Sequence, residues 1–172
     1  MFVADVSGSM DGTRLKNLKR ALIESSDLIS STNSIGLVTY NQDVNVDLYI
    51  RPFNVQQKSL FMGAVEGLSA AGGTATNDAV LVALNELSEY SKSNPDHKLV
   101  VFVLSDGETN KGLEYGDVVE IMQWTDIPIH TIAYELTSEH LKSMASLAEG
   151  AYIESSAESA SYRIGNLLNS EM

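Results

Sequence analysis

Lys98–Leu104 reads KLVVFVL, apolar at every position after the lysine, and it runs directly into Ser105-Asp106-Gly107-Glu108. A continuous apolar run that stops at a hydroxyl, a carboxylate and a glycine is what a central parallel strand covered on both faces looks like. Apolar runs and amphipathic segments alternate from there to both ends of the chain. Toward the amino terminus, Thr76–Ser91 reads as a helix entered through the small-residue loop Ser69-Ala70-Ala71-Gly72-Gly73. Before it, Asn54 with Gln57 three residues later marks the start of a helix over Val55–Glu66.

Val44–Ile50 (VNVDLYI) alternates at first, as a strand with one wet face does, and Pro52 is expected to end it. Only the turn Asn41–Asp43 separates it from the strand Ser34–Tyr40 (SIGLVTY), so it is placed antiparallel at the sheet edge. Arg14–Ser31 is expected to be a helix, with Leu15, Leu18, Leu22 and Ile29 on its apolar face, and Phe2–Ala4 a short strand. Toward the carboxyl terminus, Tyr115–Thr125 reads as a helix, Ile129–Tyr134 as a strand and Ser138–Glu149 as a helix with Gly150 as its C-cap. Ala151–Glu154 is a last strand, and Ser155 with Glu158 opens a final helix to about Leu168. Strands alternating with crossover helices mean one doubly wound α/β domain, residues 1–172, with a mostly parallel sheet.

Composition narrows the function. The net charge is −12 over 172 residues, a field that repels phosphate backbones and gathers cations, so nucleic acid is not the expected partner. The chain has no cysteine, which excludes disulfides, thiolate zinc and a thiol nucleophile. No apolar stretch approaches the roughly 18–20 residues that span a bilayer. Met1 leads straight into Phe2-Val3-Ala4 with no basic or apolar leader, and the expectation is a domain excised from a longer protein.

Open α/β sheets bind ligands beyond the carboxyl ends of their strands. Three polar clusters fall there: Asp5-Val6-Ser7-Gly8-Ser9-Met10 after the first strand, Gly72-Gly73-Thr74-Ala75-Thr76 at a helix entry, and Ser105-Asp106-Gly107-Glu108 after the central strand. They offer carboxylates and hydroxyls without sulfur or histidine, a hard oxygen set suited to magnesium, manganese or calcium and poorly to zinc or copper. Asp5, Ser7 and Ser9 alternate along a tight turn, with Gly8 letting the backbone bend. Each cluster alone is an ordinary turn; their joint occurrence at strand ends and helix entries points to a metal site.

The three motifs, in this order, resemble the metal-ion-dependent adhesion site of von Willebrand factor type A domains, the family that includes integrin inserted domains. That resemblance spans nearly the whole chain. It implies a six-stranded sheet with a short antiparallel edge strand and helices on both faces. It implies Ser7, Ser9 and Thr74 as hydroxyl ligands of Mg2+ (or Mn2+ or Ca2+), and Asp5 and Asp106 as carboxylates acting directly or through water. The expected function is a monomeric, non-catalytic adhesion-type module that grips a protein partner's Asp or Glu carboxylate through the ion. Glu108, beside Asp106, is a candidate contact for that partner. Removal of Asp106 is expected to relieve repulsion between the two acids in the metal-free form.

Two rivals stand beside this reading. A scaffold domain in a cytoplasmic assembly would use the same fold, although a bacterial surface or exported setting is favoured over it. A metal-dependent phosphotransfer enzyme would want a second acid where Ser7 stands and a lysine nearer than Lys111. His97, His130 and His140 have no ligand spacing and are read as structural. Trp124 is read as core or rim, and Asp117 and Glu120 as a solvated helix face.

Overall fold

The computed structural model describes residues 1–107, 109–134 and 136–171, except the side chains of 157, 158 and 171. Six strands, β1 (Phe2–Asp5), β2 (Ser34–Tyr40), β3 (Val44–Pro52), β4 (Val101–Ser105), β5 (Ile129–Tyr134) and β6 (Tyr152–Ser155), form one sheet. Their order is β3-β2-β1-β4-β5-β6, with β3 antiparallel to β2 and the other pairs parallel. The helices are α1 (Thr13–Ser26), α2 (Val55–Glu66), α3 (Thr76–Ser93), α4 (Tyr115–Thr125), α5 (Glu139–Leu147) and α6 (Ala157–Glu171), with a single 3₁₀ turn at Gly8–Met10.

Alternation along the central strands sorts the core into two layers. Phe2, Ala4, Phe102 and Leu104 face the helices α1, α2 and α6, where the ring of Phe2 lies 5.5 Å from that of Phe102 and 5.7 Å from that of Phe61. Val3, Val101 and Val103 face α3, α4 and α5. Both faces of β1 and β4 are therefore buried, the reason their sequences carry no polar alternation. The order reverses direction at β1, so the crevice between the carboxyl ends of β1 and β4 is the topological switch point, where open α/β sheets hold ligands.

The sequence places β2, β5, α2 and α4 where they are found. Elsewhere the differences have physical causes. β4 begins at Val101, not Lys98, because its neighbours begin only there: Phe2 pairs with Phe102 and Ile129 with Val101. α1 ends at Ser26, because the hydroxyls of Ser25 and Ser26 turn back onto the Leu22 and Ile23 carbonyls at 3.0 and 2.6 Å. Ile29 is buried beyond it. The edge strand is nine residues, not short, and it includes Pro52, which an edge tolerates because one side of the ladder is unpaired.

Gly150 is not the C-cap of α5. Ala148 holds that place, and Glu149 takes the left-handed backbone at φ 53°. Gly150 is required because a Cβ there would overlap the Ile129 carbonyl oxygen. Asn54 caps α2 by accepting the Gln57 N–H at 2.9 Å, but the Gln57 side chain is buried and donates to the carbonyls of Ile35 and Tyr49 at 3.0 and 2.9 Å. It thereby stitches the irregular β2–β3 pairing between Ile35 and Val38. Asp117 is no mere solvated residue, since it and Glu114 form a capping box on α4. Trp124 is 85% exposed, so it is not core. The expected Ser155–Glu158 capping pair lies outside the described residues, because the Glu158 side chain does.

Candidate metal centre

Asp5 is the last residue of β1 and has no exposed surface. Its Oδ1 accepts the Ser7 N–H at 2.8 Å and its Oδ2 accepts the Ser105 hydroxyl at 2.5 Å. Burial pushes its carboxyl above the usual carboxylate range; the bonds from Ser105 and Ser7 oppose that shift, and the nearby charge of Asp106 adds to it. Tyr40 borders the same spot, its hydroxyl accepting from Thr76 Oγ1 at 3.2 Å, and burial followed by the charge of Asp5 raises it well above its ordinary value.

Past Asp5 the chain makes the 3₁₀ turn, anchored by the fully buried Met10. This turn sets Ser7 Oγ 3.1 Å from Ser9 Oγ. Ser9 in turn donates to Asp106 Oδ1 at 3.1 Å, across 97 residues of sequence. Gly8 does not serve the bend itself. Its N–H donates to the Gly72 carbonyl at 2.9 Å, and a Cβ at Gly8 would come within 3.2 Å of that oxygen. A tight approach of two loops is what this glycine permits.

The loop carrying Thr74 is clamped from both sides. Gly72 has φ +79°, and the space a side chain would need there is filled by Gln42, whose Oε1 accepts the Gly73 N–H at 2.9 Å. Asn110 Oδ1 accepts the Thr74 N–H at 2.9 Å, while the Thr74 carbonyl accepts from Asn110 N, Lys111 N and Thr109 Oγ1. Thr74 is buried next to the Asp5 turn. No hydrogen bond among the described residues joins its hydroxyl to the chain of contacts through Asp5, Ser7, Ser9 and Asp106.

Asp106, at the end of β4, is nearly as buried as Asp5 but differently supported. Its Oδ2 accepts a 2.8 Å hydrogen bond from Arg14 Nη1, which also donates to the Ser9 carbonyl at 3.2 Å. Arg14 lies against the charge of Asp106 and so softens the expected repulsion between the two acids, which still adds to the shift of Asp5. Glu108 lies outside the described residues.

Four of the five expected ligands are thus brought together, with Thr74 in the adjoining loop. Among the described residues no three His, Cys, Asp or Glu side chains gather as a metal-binding group, so a cation here would depend on hydroxyls and water beyond its two acids. The donors fit a hard divalent ion. Asp5 supplies the observation for that fit: it is a buried carboxylate whose acting neighbours are hydroxyls, a backbone N–H and a second acid. Sequence reasoning missed the roles of Ser105, Gln42, Asn110 and Arg14. The available signal for Arg14 was a cation in the first turn of a helix, where the backbone dipole disfavours it.

Residues 1–166 match the von Willebrand factor type A domain. The chain belongs to that family. A solved von Willebrand factor type A structure from Catenulispora acidiphila superposes with a TM-score of 0.85 at 18% identity, covering 99% of this chain and 42% of that one. That likeness is one of fold. The human voltage-dependent calcium channel subunit alpha-2/delta-2 is 24% identical over 162 residues, which is 90% of this chain and 14% of the subunit. Proximal thread matrix protein 1 from the mussel byssus, solved with a zinc-occupied adhesion-site motif, shares the fold at a TM-score of 0.75 and 18% identity, over 97% of this chain and 43% of that one. The chain spans 12% to 37% of the length of the curated relatives it matches.

Other features of this von Willebrand factor type A domain lie away from the switch point. A cavity of about 370 Å³ opens at the amino ends of β1 and β4, bordered by Met1, Tyr90, His97 and Phe102, at the opposite end from Asp5 and Asp106. Each histidine has a protein neighbour: His97 bonds Tyr90, His130 accepts the Ala151 N–H, and His140 packs edge-on against Tyr115. Among the described residues no helix is long and apolar enough to cross a membrane.

Proposed function

We propose that this domain is a divalent-metal-dependent protein-interaction module that binds an acidic side chain of its partner. The observation that carries this reading is the Ser9–Asp106 hydrogen bond, which joins the end of β1 to the end of β4 at the switch point. Asp5, Ser7, Ser9, Thr74 and Asp106 would hold the ion, with Gln42 and Asn110 fixing the Thr74 loop. Once bound, the ion supplies an electrophilic site that accepts an outside carboxylate. Family membership supports the reading, since von Willebrand factor type A domains generally bind protein partners and a relative holds a divalent metal in its adhesion-site motif. Mg2+ is the expected ion on donor hardness; the zinc in that relative makes zinc the necessary second ion to test. We take Glu108 as a candidate partner contact.

The phosphotransfer alternative is disfavoured by the same geometry. Lys111 does reach the rim, where its side chain lies against Gly73. Position 7, however, is Ser7 where phosphotransfer wants a second acid, and its hydroxyl lies 3.1 Å from that of Ser9.

Thermal unfolding in chelator, then with Mg2+, Mn2+ or Zn2+, tests the proposal. An ion that binds only the folded domain stabilises it by about 2.7 kcal/mol at a hundredfold excess over Kd. An unfolding midpoint indifferent to all three ions at millimolar concentration would refute metal dependence. With metal shown, partner capture that persists in chelator would refute the carboxylate-bridging role.

A further inference from the structure

Arg14 occupies a place that local preference does not explain. It lies in the first turn of α1, which contains no acidic residue, and the positive end of a helix favours anions over cations. The turn before it is set by Gly12, whose φ of +80° brings the chain off the 3₁₀ turn and into the helix. From there the side chain reaches back over the site. Nη1 lies 3.2 Å from the Ser9 carbonyl and 2.8 Å from Asp106 Oδ2, while the side chain stays 30% exposed and that of Asp106 only 4%. Ser9 and Asp106 are both candidate ligands, so the guanidinium is built into the ligand set itself. A cation served by Asp106 must share that carboxylate with Arg14.

We propose that Arg14 is a resident cation that weakens binding of the free metal by holding Asp106, a carboxylate the ion must share. This rests on the metal-site reading above. Asp5 and Asp106 together cancel the charge of a divalent ion, and the guanidinium adds a positive charge beside it. Like charges so close lower the affinity of the second cation, because the separation is short and the acid between them is largely out of water. In the metal-free protein Arg14 holds Asp106 in place, so the site stays assembled without the ion. Arg14 is a positioning and affinity-setting residue rather than a ligand.

The test is Mn2+ binding to the purified domain, read by calorimetry and by electron paramagnetic resonance, for the parent, Arg14→Gln and Arg14→Lys. Arg14→Gln is expected to bind Mn2+ more tightly, on the order of tenfold, while Arg14→Lys stays within about threefold of the parent because it keeps the charge. Thermal unfolding in chelator should show the opposite sign, with Arg14→Gln slightly less stable for loss of the Asp106 pair. A merely structural arginine would lower stability and metal affinity together. Arg14→Gln binding Mn2+ equally or more weakly, while the parent binds it, overturns this inference and leaves the metal site standing. No Mn2+ binding by any of the three overturns both.

Discussion

Asp5 ends β1 and Asp106 directly follows the neighbouring parallel strand β4, and both are hidden from solvent, yet the protein treats them in opposite ways. Asp5 is fixed by neutral donors, the Ser7 N–H and the Ser105 hydroxyl, in a pocket closed by Tyr40. Asp106 is fixed by one neutral donor, Ser9, and one cation, Arg14. In the metal-free protein the charge of Asp5 is thus a cost of burial, and that of Asp106 is offset. Residue type and the end of the sheet are shared; what differs is which helix end or loop the fold brings against each carboxylate. The difference also divides their expected roles, with Asp5 supplying attraction for a cation and Asp106 tying the cation site to Arg14 and the rim.

The largest expected effect comes from Asp5→Asn, which should weaken Mn2+ or Mg2+ binding by about a hundredfold or more, since it removes one of the two acids. The same variant should be more stable than the parent in chelator at neutral pH. The sign follows from linkage. A raised folded pKa means that ionising Asp5 costs stability as pH climbs above the ordinary carboxylate value of 3.8, and an amide does not ionise. Paired melting curves from roughly pH 3 to pH 7 check it. A parent no less stable than Asp5→Asn across this range would remove the contrast between the two acids.

Asp106→Asn should also lose metal, but its metal-free form is expected to be destabilised by about 1 kcal/mol, because the charge is removed from the Arg14–Asp106 pair. Chemical denaturation in chelator, with the slope unchanged, measures this. A metal-free Asp106→Asn domain more stable than the parent would mean that repulsion between the acids outweighs the ion pair. Ser105→Ala sharpens the Asp5 side. It strips the donor from Oδ2 and should cost about 1 kcal/mol in chelator, with a metal affinity reduced less than by Asp5→Asn. Equal losses from Ser105→Ala and Asp5→Asn would make Ser105 a ligand in its own right.

How far the sequence could be read follows the range of the forces involved. The runs SIGLVTY and IHTIAY became β2 and β5 at their expected bounds, because apolar residues on both faces bury each run from end to end except at Ser34. Asn54 capped α2 because capping spans three residues. KLVVFVL was cut short at its start because strand length is set by partners about thirty and a hundred residues away, which no local pattern reveals. Gly150 looked like a C-cap for the same reason, since its true constraint is a carbonyl on β5. At the site, the candidate ligands were legible because three short oxygen-rich motifs stood at strand ends. Their supports were not: Gln42, Asn110, Ser105 and Arg14 are common polar residues whose partners lie in other loops.

By itself, then, the sequence determined the alternation of strands and crossover helices, the two-faced burial of β1 and β4, and the kinds of atom gathered at their carboxyl ends. These depend on periodicity and residue type, which act over a few positions. Only the tertiary structure decided that Ser9 meets Asp106, that Arg14 shares that carboxylate, and that Asp5 is left to neutral donors. Those pairings depend on which loops and helix ends the fold brings against two buried carboxylates, where water screens less than it does in the open chain.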